Sequence, residues 1–183
     1  MGDEHERGLI ARIADGDRDA WGRLFQCYAG RIYRYALMMG REQALAEEVV
    51  QETMLSIWKG ARAFRGEGKP STWILGIARH KALDKLRREQ RSAEAQAEQD
   101  EPAFELEPEQ EARRELLGER VRGALERLEP EHRETVVLAF YHGLSYKEIA
   151  ELMGCPEGTV KSRMFYAKER LRALLEEERW PSA

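Results

Sequence analysis

Residues 144–171 read LSYKEIAELMGCPEGTVKSRMFYAKERL, and their spacing specifies a helix-turn-helix. Ser145-Tyr146-Lys147-Glu148 forms a capping box, in which the Ser145 side chain faces the N3 amide and Glu148 reaches back. The helix it opens ends by Met153. Gly154 makes the turn, Cys155 stands near the next N-cap, and Pro156 opens a final helix to about Glu178. Leu144, Ile149, Ala150, Leu152, Val160 and Met164 fall where two such helices must pack. The second helix keeps Thr159, Lys161, Ser162, Arg163, Phe165, Tyr166 and Lys168 on its exposed side. Between Pro156 and Arg172 it carries 5 basic and 2 acidic residues, the local excess expected of a helix that enters a DNA groove. Helix-turn-helix packing also occurs without DNA binding, so this stretch alone leaves both outcomes open.

Upstream, Pro130 suits the first turn of a helix over about 130–142 that Gly143 ends, preceded by another over about 109–128. The N-terminal half also reads as helices. Asp17 caps a stretch to about Met39, with Trp21, Leu24, Phe25, Tyr28, Ile32 and Tyr35 at helical spacing. A helix over about 42–61 buries Leu45, Val49, Ile57 and Trp58. Its opposite face groups Glu48, Gln51 and Glu52 at i, i+3 and i+4. FRGEGKPS (64–71) breaks the pattern, and a third helix from about Ser71 to Arg91 carries Arg79, His80, Lys81, Lys85, Arg87 and Arg88 around a core stripe. A basic loop followed by a basic helix suits a phosphate backbone, because cations displace condensed counterions.

The 183 residues hold 30 Lys+Arg against 34 Asp+Glu, for a net charge of −4. That total conceals its distribution. Residues 1–58 carry −3, 59–91 carry +7, 92–111 carry −8 and 112–183 carry 0. SAEAQAEQDEPAFELEPEQE (92–111) has two prolines and no cation, the composition of an acidic flexible linker. An all-α protein is therefore expected, with small helical domains at 1–91 and 112–183 joined by that linker. The low count of β-branched residues, 7 Ile, 6 Val and 4 Thr, agrees. The longest apolar run, Val136–Tyr141, is far shorter than the ~20 residues of a membrane span, and the polar start MGDEHERG is no secretory signal. Cys27 and Cys155 form no CxxC pair, and the four histidines are scattered. No metal or other cofactor is assigned, no catalytic constellation is present, and a reducing cytoplasm fits.

Taken in order, three segments resemble the bacterial RNA polymerase sigma factors of the sigma-70 family, specifically the extracytoplasmic function (ECF) group. AEEVVQETMLSIW (46–58) is similar to the family's region 2.1–2.2, which binds the coiled coil of the polymerase β′ subunit. FRGEGKPSTWILGIARHKALDKLRR (64–88) is similar to regions 2.3–2.4, which melt and read the −10 element. Residues 144–171 are similar to region 4.2, which reads the −35 element. The resemblance implies polymerase docking through Glu48, Gln51 and Glu52, and −10 contacts from Arg65, Lys69, Ser71, Arg79, His80 and Lys81. It also implies −35 contacts from Tyr146, Lys147, Thr159, Lys161, Ser162, Arg163, Phe165, Tyr166 and Lys168. The loop from Arg65 to Ser71 matches the family's holder of a flipped base, and His80 stands where many relatives have Asn. The implied partners are core RNA polymerase (β′ coiled coil and β flap), promoter DNA and an anti-sigma factor. A stand-alone, dimeric helix-turn-helix regulator is the rival from a different class; it predicts a palindromic site and no polymerase.

Overall fold

The structure, a computed structural model, describes residues 2–93 and 120–177. All regular structure among them is helical, and the chain divides into two units, within residues 1–92 and 93–183. The N-terminal unit consists of α1 (Asp3–Ala14), α2 (Arg18–Gly40), α3 (Gln43–Gly60), a single 3-10 turn (Ala61–Ala63) and α4 (Pro70–Ala93).

Helix α1 was not expected from the sequence. Asp3, Glu4 and Glu6 occupy its first turn, where the helix dipole favours negative charge, and Leu9, Ile10 and Ile13 are buried. Glu6 is buried too, and the Tyr28 hydroxyl donates to its Oε2 at 2.7 Å. Burial pushes the Tyr28 phenol up, and the Glu6 carboxylate adds to the shift. Helix α2 begins as expected: Asp17 accepts from the amides of Asp19 and Ala20 at 2.9 and 3.0 Å. The Ala20 amide and the Arg12 guanidinium hold the Asp17 carboxyl below its ordinary range. Leu24, Tyr28, Ile32, Tyr35 and Met39 are buried along α2. Trp21 and Phe25 are only half-buried, because they share a surface cluster with Trp58, whose ring meets Trp21 edge-on at 6.2 Å. Helix α4 runs two residues into the stretch assigned to the linker, which otherwise lies outside the described residues.

In the second unit, residues 120–126 (α5) are helical; the upstream part of the helix expected over 109–128 lies outside the described residues. Helix α6 (Pro130–Val136) continues as a π-turn, Val137–Tyr141, in place of the uninterrupted α-helix expected to 142. Helices α7 (Tyr146–Met153) and α8 (Glu157–Glu177) complete the unit. Leu144, Ile149, Ala150, Val160 and Met164 are buried as the spacing requires, and Leu152 is half-buried.

Candidate nucleic-acid interface

The turn between α7 and α8 is built as its sequence specifies. The Glu148 amide donates to Ser145 Oγ at 3.3 Å, and the Ser145 amide donates to Glu148 Oε2 at 2.8 Å. Gly154 takes a left-handed φ of 66°, and the Cys155 amide closes back on the Ala150 carbonyl at 3.0 Å. That 6→1 bond ends α7 in a Schellman turn, so Cys155 serves through its backbone as a C-terminal stop for α7. The carbonyl that opens α8 is that of Pro156, one residue beyond the N-cap expected near Cys155.

The face of α8 so presented combines aromatic and basic groups. Phe165 and Tyr166 are 61% and 59% exposed and meet edge-on at 5.5 Å; Tyr166 also stacks on His132 of α6 at 6.4 Å. Lys161 is exposed and pairs with Glu157 one turn earlier at 2.8 Å; that bond holds its ammonium above the ordinary lysine range. Ser162 Oγ donates to the Gly158 carbonyl at 3.0 Å. Arg163 turns back across the turn, its NH1 donating to Cys155 Sγ at 3.8 Å. Lys168 lies 5.7 Å above the exposed Phe140 ring. Thr159 and Tyr146 are half-buried and Lys147 is exposed. All nine candidate −35 residues thus belong to α7 and α8.

In the N-terminal unit the candidates fall into two groups that touch. Glu48 and Glu52 of α3 converge on Lys85 of α4, which donates to Glu48 and lies 2.9 Å from Glu52 Oε1. Lys81, a candidate DNA contact, lies 3.4 Å from Glu52 Oε2. The hydrogen bond from Lys85 draws the Glu52 carboxyl below its ordinary value, and Glu48 raises Lys85. The spacing groups the trio on one face; the structure finds two of its members, Glu48 and Glu52, paired with cations of α4. Gln51 is exposed and borders an open apolar groove of about 630 Å³ lined by Trp21, Phe25, Met54 and Leu55. Across α4, His80 is exposed with Nδ1 3.2 Å from Asp84, and Arg79 and Ser71 are half-buried. Arg65 and Lys69 are exposed on the loop. Trp73 packs on Phe64 with ring centroids 5.0 Å apart.

Sequence reasoning missed Lys85 as the hub of the acidic pair and Arg7, which donates to the Gly66 carbonyl. Arg62, just ahead of the basic loop, donates to the Ala14 carbonyl at 2.9 Å. The signal for α1 was available in Leu9, Ile10 and Ile13 behind an acidic first turn.

Two helical modules, one bearing a capped helix-turn-helix with an aromatic and basic outer face, define a protein of the helix-turn-helix class. The chain belongs to the sigma-70 family: residues 24–92 match its region 2 and residues 118–171 match its region 4. It is 35% identical over 172 residues to the RNA polymerase sigma factor CarQ of Myxococcus xanthus, covering 92% of this chain and 96% of CarQ. It is 34% identical over 178 residues to the ECF sigma factor SigM of Mycobacterium tuberculosis, covering 96% of this chain and 88% of SigM. Among solved structures it resembles the sigma factor RpoE in complex with the anti-sigma factor NepR from Bartonella quintana. There the TM-score is 0.73 at 25% identity, over 86% of this chain and 98% of RpoE. It also resembles CnrH in complex with the cytosolic domain of CnrY, with a TM-score of 0.71 at 26% identity over 94% and 98%. These matches establish an ECF sigma factor that directs promoter-specific transcription initiation; its relatives are sigma factors, which are not enzymes. No helix among the described residues is long and apolar enough to cross a membrane.

Proposed function

We propose that residues 1–91 act as region 2, residues 92–111 as a tether and residues 112–183 as region 4 of a factor that loads core RNA polymerase onto its promoters in the cytoplasm. The exposed face of α8 carries this reading. Two large aromatics held at about 60% exposure beside Lys161 and Lys168 have no role in the unit's own core. Thymine methyls and phosphates in a major groove suit such an exposed aromatic and basic face. Tyr146, Lys147, Thr159, Ser162 and Arg163 flank that face and complete the −35 contact. Arg65, Lys69, Ser71, Arg79, His80 and Lys81 take the melted −10 strand, where cations offset the few kcal/mol of unstacking that an extruded base costs.

Glu48, Gln51 and Glu52 dock the β′ coiled coil of polymerase, supported by the apolar groove that continues from Gln51, and region 4 meets the β flap. Two weak contacts on one tether bind jointly through effective concentration, so neither unit has to hold DNA alone. An anti-sigma factor restrains the protein; the solved relative RpoE, in complex with the anti-sigma factor NepR, supports this. Run-off transcription with purified core polymerase tests the proposal. Promoter-dependent product that requires this chain is expected, and its absence on every template enriched by the holoenzyme would overturn it.

A further inference from the structure

We infer that α1 braces the loop between α3 and α4, and that Arg7 and Arg62 are positioning residues for −10 recognition. This rests on the assignment of that loop to the −10 strand. The segment after the Ala61–Ala63 turn has little to hold it by its own backbone. Phe64 donates to the Ala61 carbonyl at 3.2 Å, and Gly66 then adopts a left-handed φ of 73°. Two guanidinium groups tie it to α1 from opposite directions. Arg62, just ahead of the loop, donates from Nε to the Ala14 carbonyl at 2.9 Å. Ala14 is the last residue of α1, so this carbonyl lacks an intrahelical donor and sits at the negative end of the helix dipole. Arg7, two turns earlier on α1, reaches the Gly66 carbonyl inside the loop.

The exposed candidate Arg65 is therefore fixed on both sides, through Phe64 against Trp73 and through Gly66 against Arg7. A loop ordered before the DNA arrives loses less conformational freedom on binding, so its affinity and selectivity both rise. The geometry also explains Arg62, a cation that the +7 charge of residues 59–91 alone would send to phosphate. Arg7 and Arg62 act through the loop and do not themselves contact the strand.

The test uses holoenzyme assembled from core RNA polymerase and the full chain, as wild type, Arg7→Ala, Arg62→Ala and Arg7→Lys. Each is used to enrich promoters from a random-sequence duplex library, and open complexes are read by permanganate reactivity of unpaired thymines. Arg7→Ala and Arg62→Ala are each expected to flatten the −10 block and to reduce melted complex by about tenfold, while the −35 block is retained. Arg7→Lys, which keeps a donor and the charge, is expected to recover most of the loss. Unchanged −10 selectivity in both alanine variants would overturn the inference. So would equal loss of the −10 and −35 blocks, which would make the arginines general supports of the fold. If wild-type holoenzyme enriches no two-block promoter, the underlying assignment fails instead.

Discussion

In the N-terminal unit, several basic side chains at the candidate DNA surface are held by the protein itself. Lys81 and Lys85 lie against Glu48 and Glu52, Arg62 caps α1, Arg7 holds Gly66 and His80 faces Asp84. In the C-terminal unit the candidate face is open. Its aromatics are well exposed, and Lys161 has only a partner one turn away on its own helix. The difference teaches that the two units are prepared for DNA in different ways. The helix-turn-helix presents an open face to the duplex proposed for it. The proposed −10 surface uses its charge to assemble itself, and Lys81 and Lys85 pair with two carboxylates of the face proposed for polymerase, so docking and strand binding would draw on one network.

If the units are separate folding entities, damage to one must stay there. Leu138 is fully buried in the π-turn, and Leu138→Ala is expected to destabilise the C-terminal unit by about 2–5 kcal/mol. Hydrogen exchange should then show lost protection across α6, α7 and α8 with α1–α4 unchanged. Joint loss in both units would break the comparison at its base. The converse change is Tyr28→Phe, which leaves the buried Glu6 carboxylate without its donor and is expected to cost about 1–3 kcal/mol in the N-terminal unit. Trp21, Trp58 and Trp73 all report on that unit, so a lower urea midpoint in tryptophan fluorescence checks it.

The shared network can be weighed directly. Lys85→Met removes the hub between Glu48 and Glu52, two partly exposed carboxylates, so the expected cost is only about 0.5–1 kcal/mol at low salt and less at high salt. Its pH window follows from the two shifts. Glu52 is drawn below its ordinary 4.5, so its share is present above that value and is lost as pH falls through the lowered one. Lys85 is raised above its ordinary 10.5, so its share is present below that value and is lost as pH climbs through the raised one. The gap between wild type and variant should be flat between about pH 5 and 10 and close on either side. A variant as stable as wild type throughout would show that the pairs contribute nothing, and the contrast would rest on geometry alone.

Why some of this was legible in sequence and some was not has a physical basis. Asp17, the Ser145/Glu148 box and Gly154 specify backbone geometry locally, and each stands where it was expected. Helix α1 escaped notice because its buried apolar stripe is only Leu9, Ile10 and Ile13 behind a charged first turn. The π-turn leaves no compositional trace, since Val136–Tyr141 is equally apolar in either helix. For the site, residue types on a face could be read, but their partners could not. Lys85 and Glu48 are 37 positions apart, and Arg7 and Gly66 are 59, distances at which helical periodicity carries no information.

The smallest expected effect bears hardest on the claim that the C-terminal face is already open. Among the described residues Glu157 is the carboxylate paired with a cation of that face, and it lies in the first turn of α8, where negative charge suits the dipole. Glu157→Gln releases Lys161 and removes a charge facing the incoming phosphates, at the expense of that dipole contact. Because Lys161 and Glu157 are both solvent-exposed neighbours on one helix, water already competes for their pair, and little masking is there to relieve. Binding of a −35 duplex by the holoenzyme should therefore tighten by only about two- to threefold, with a salt slope steeper by at most about 1. A gain of tenfold or more would mean that this face too is held closed by its own carboxylate. The two units would then differ only in where the masking charge sits.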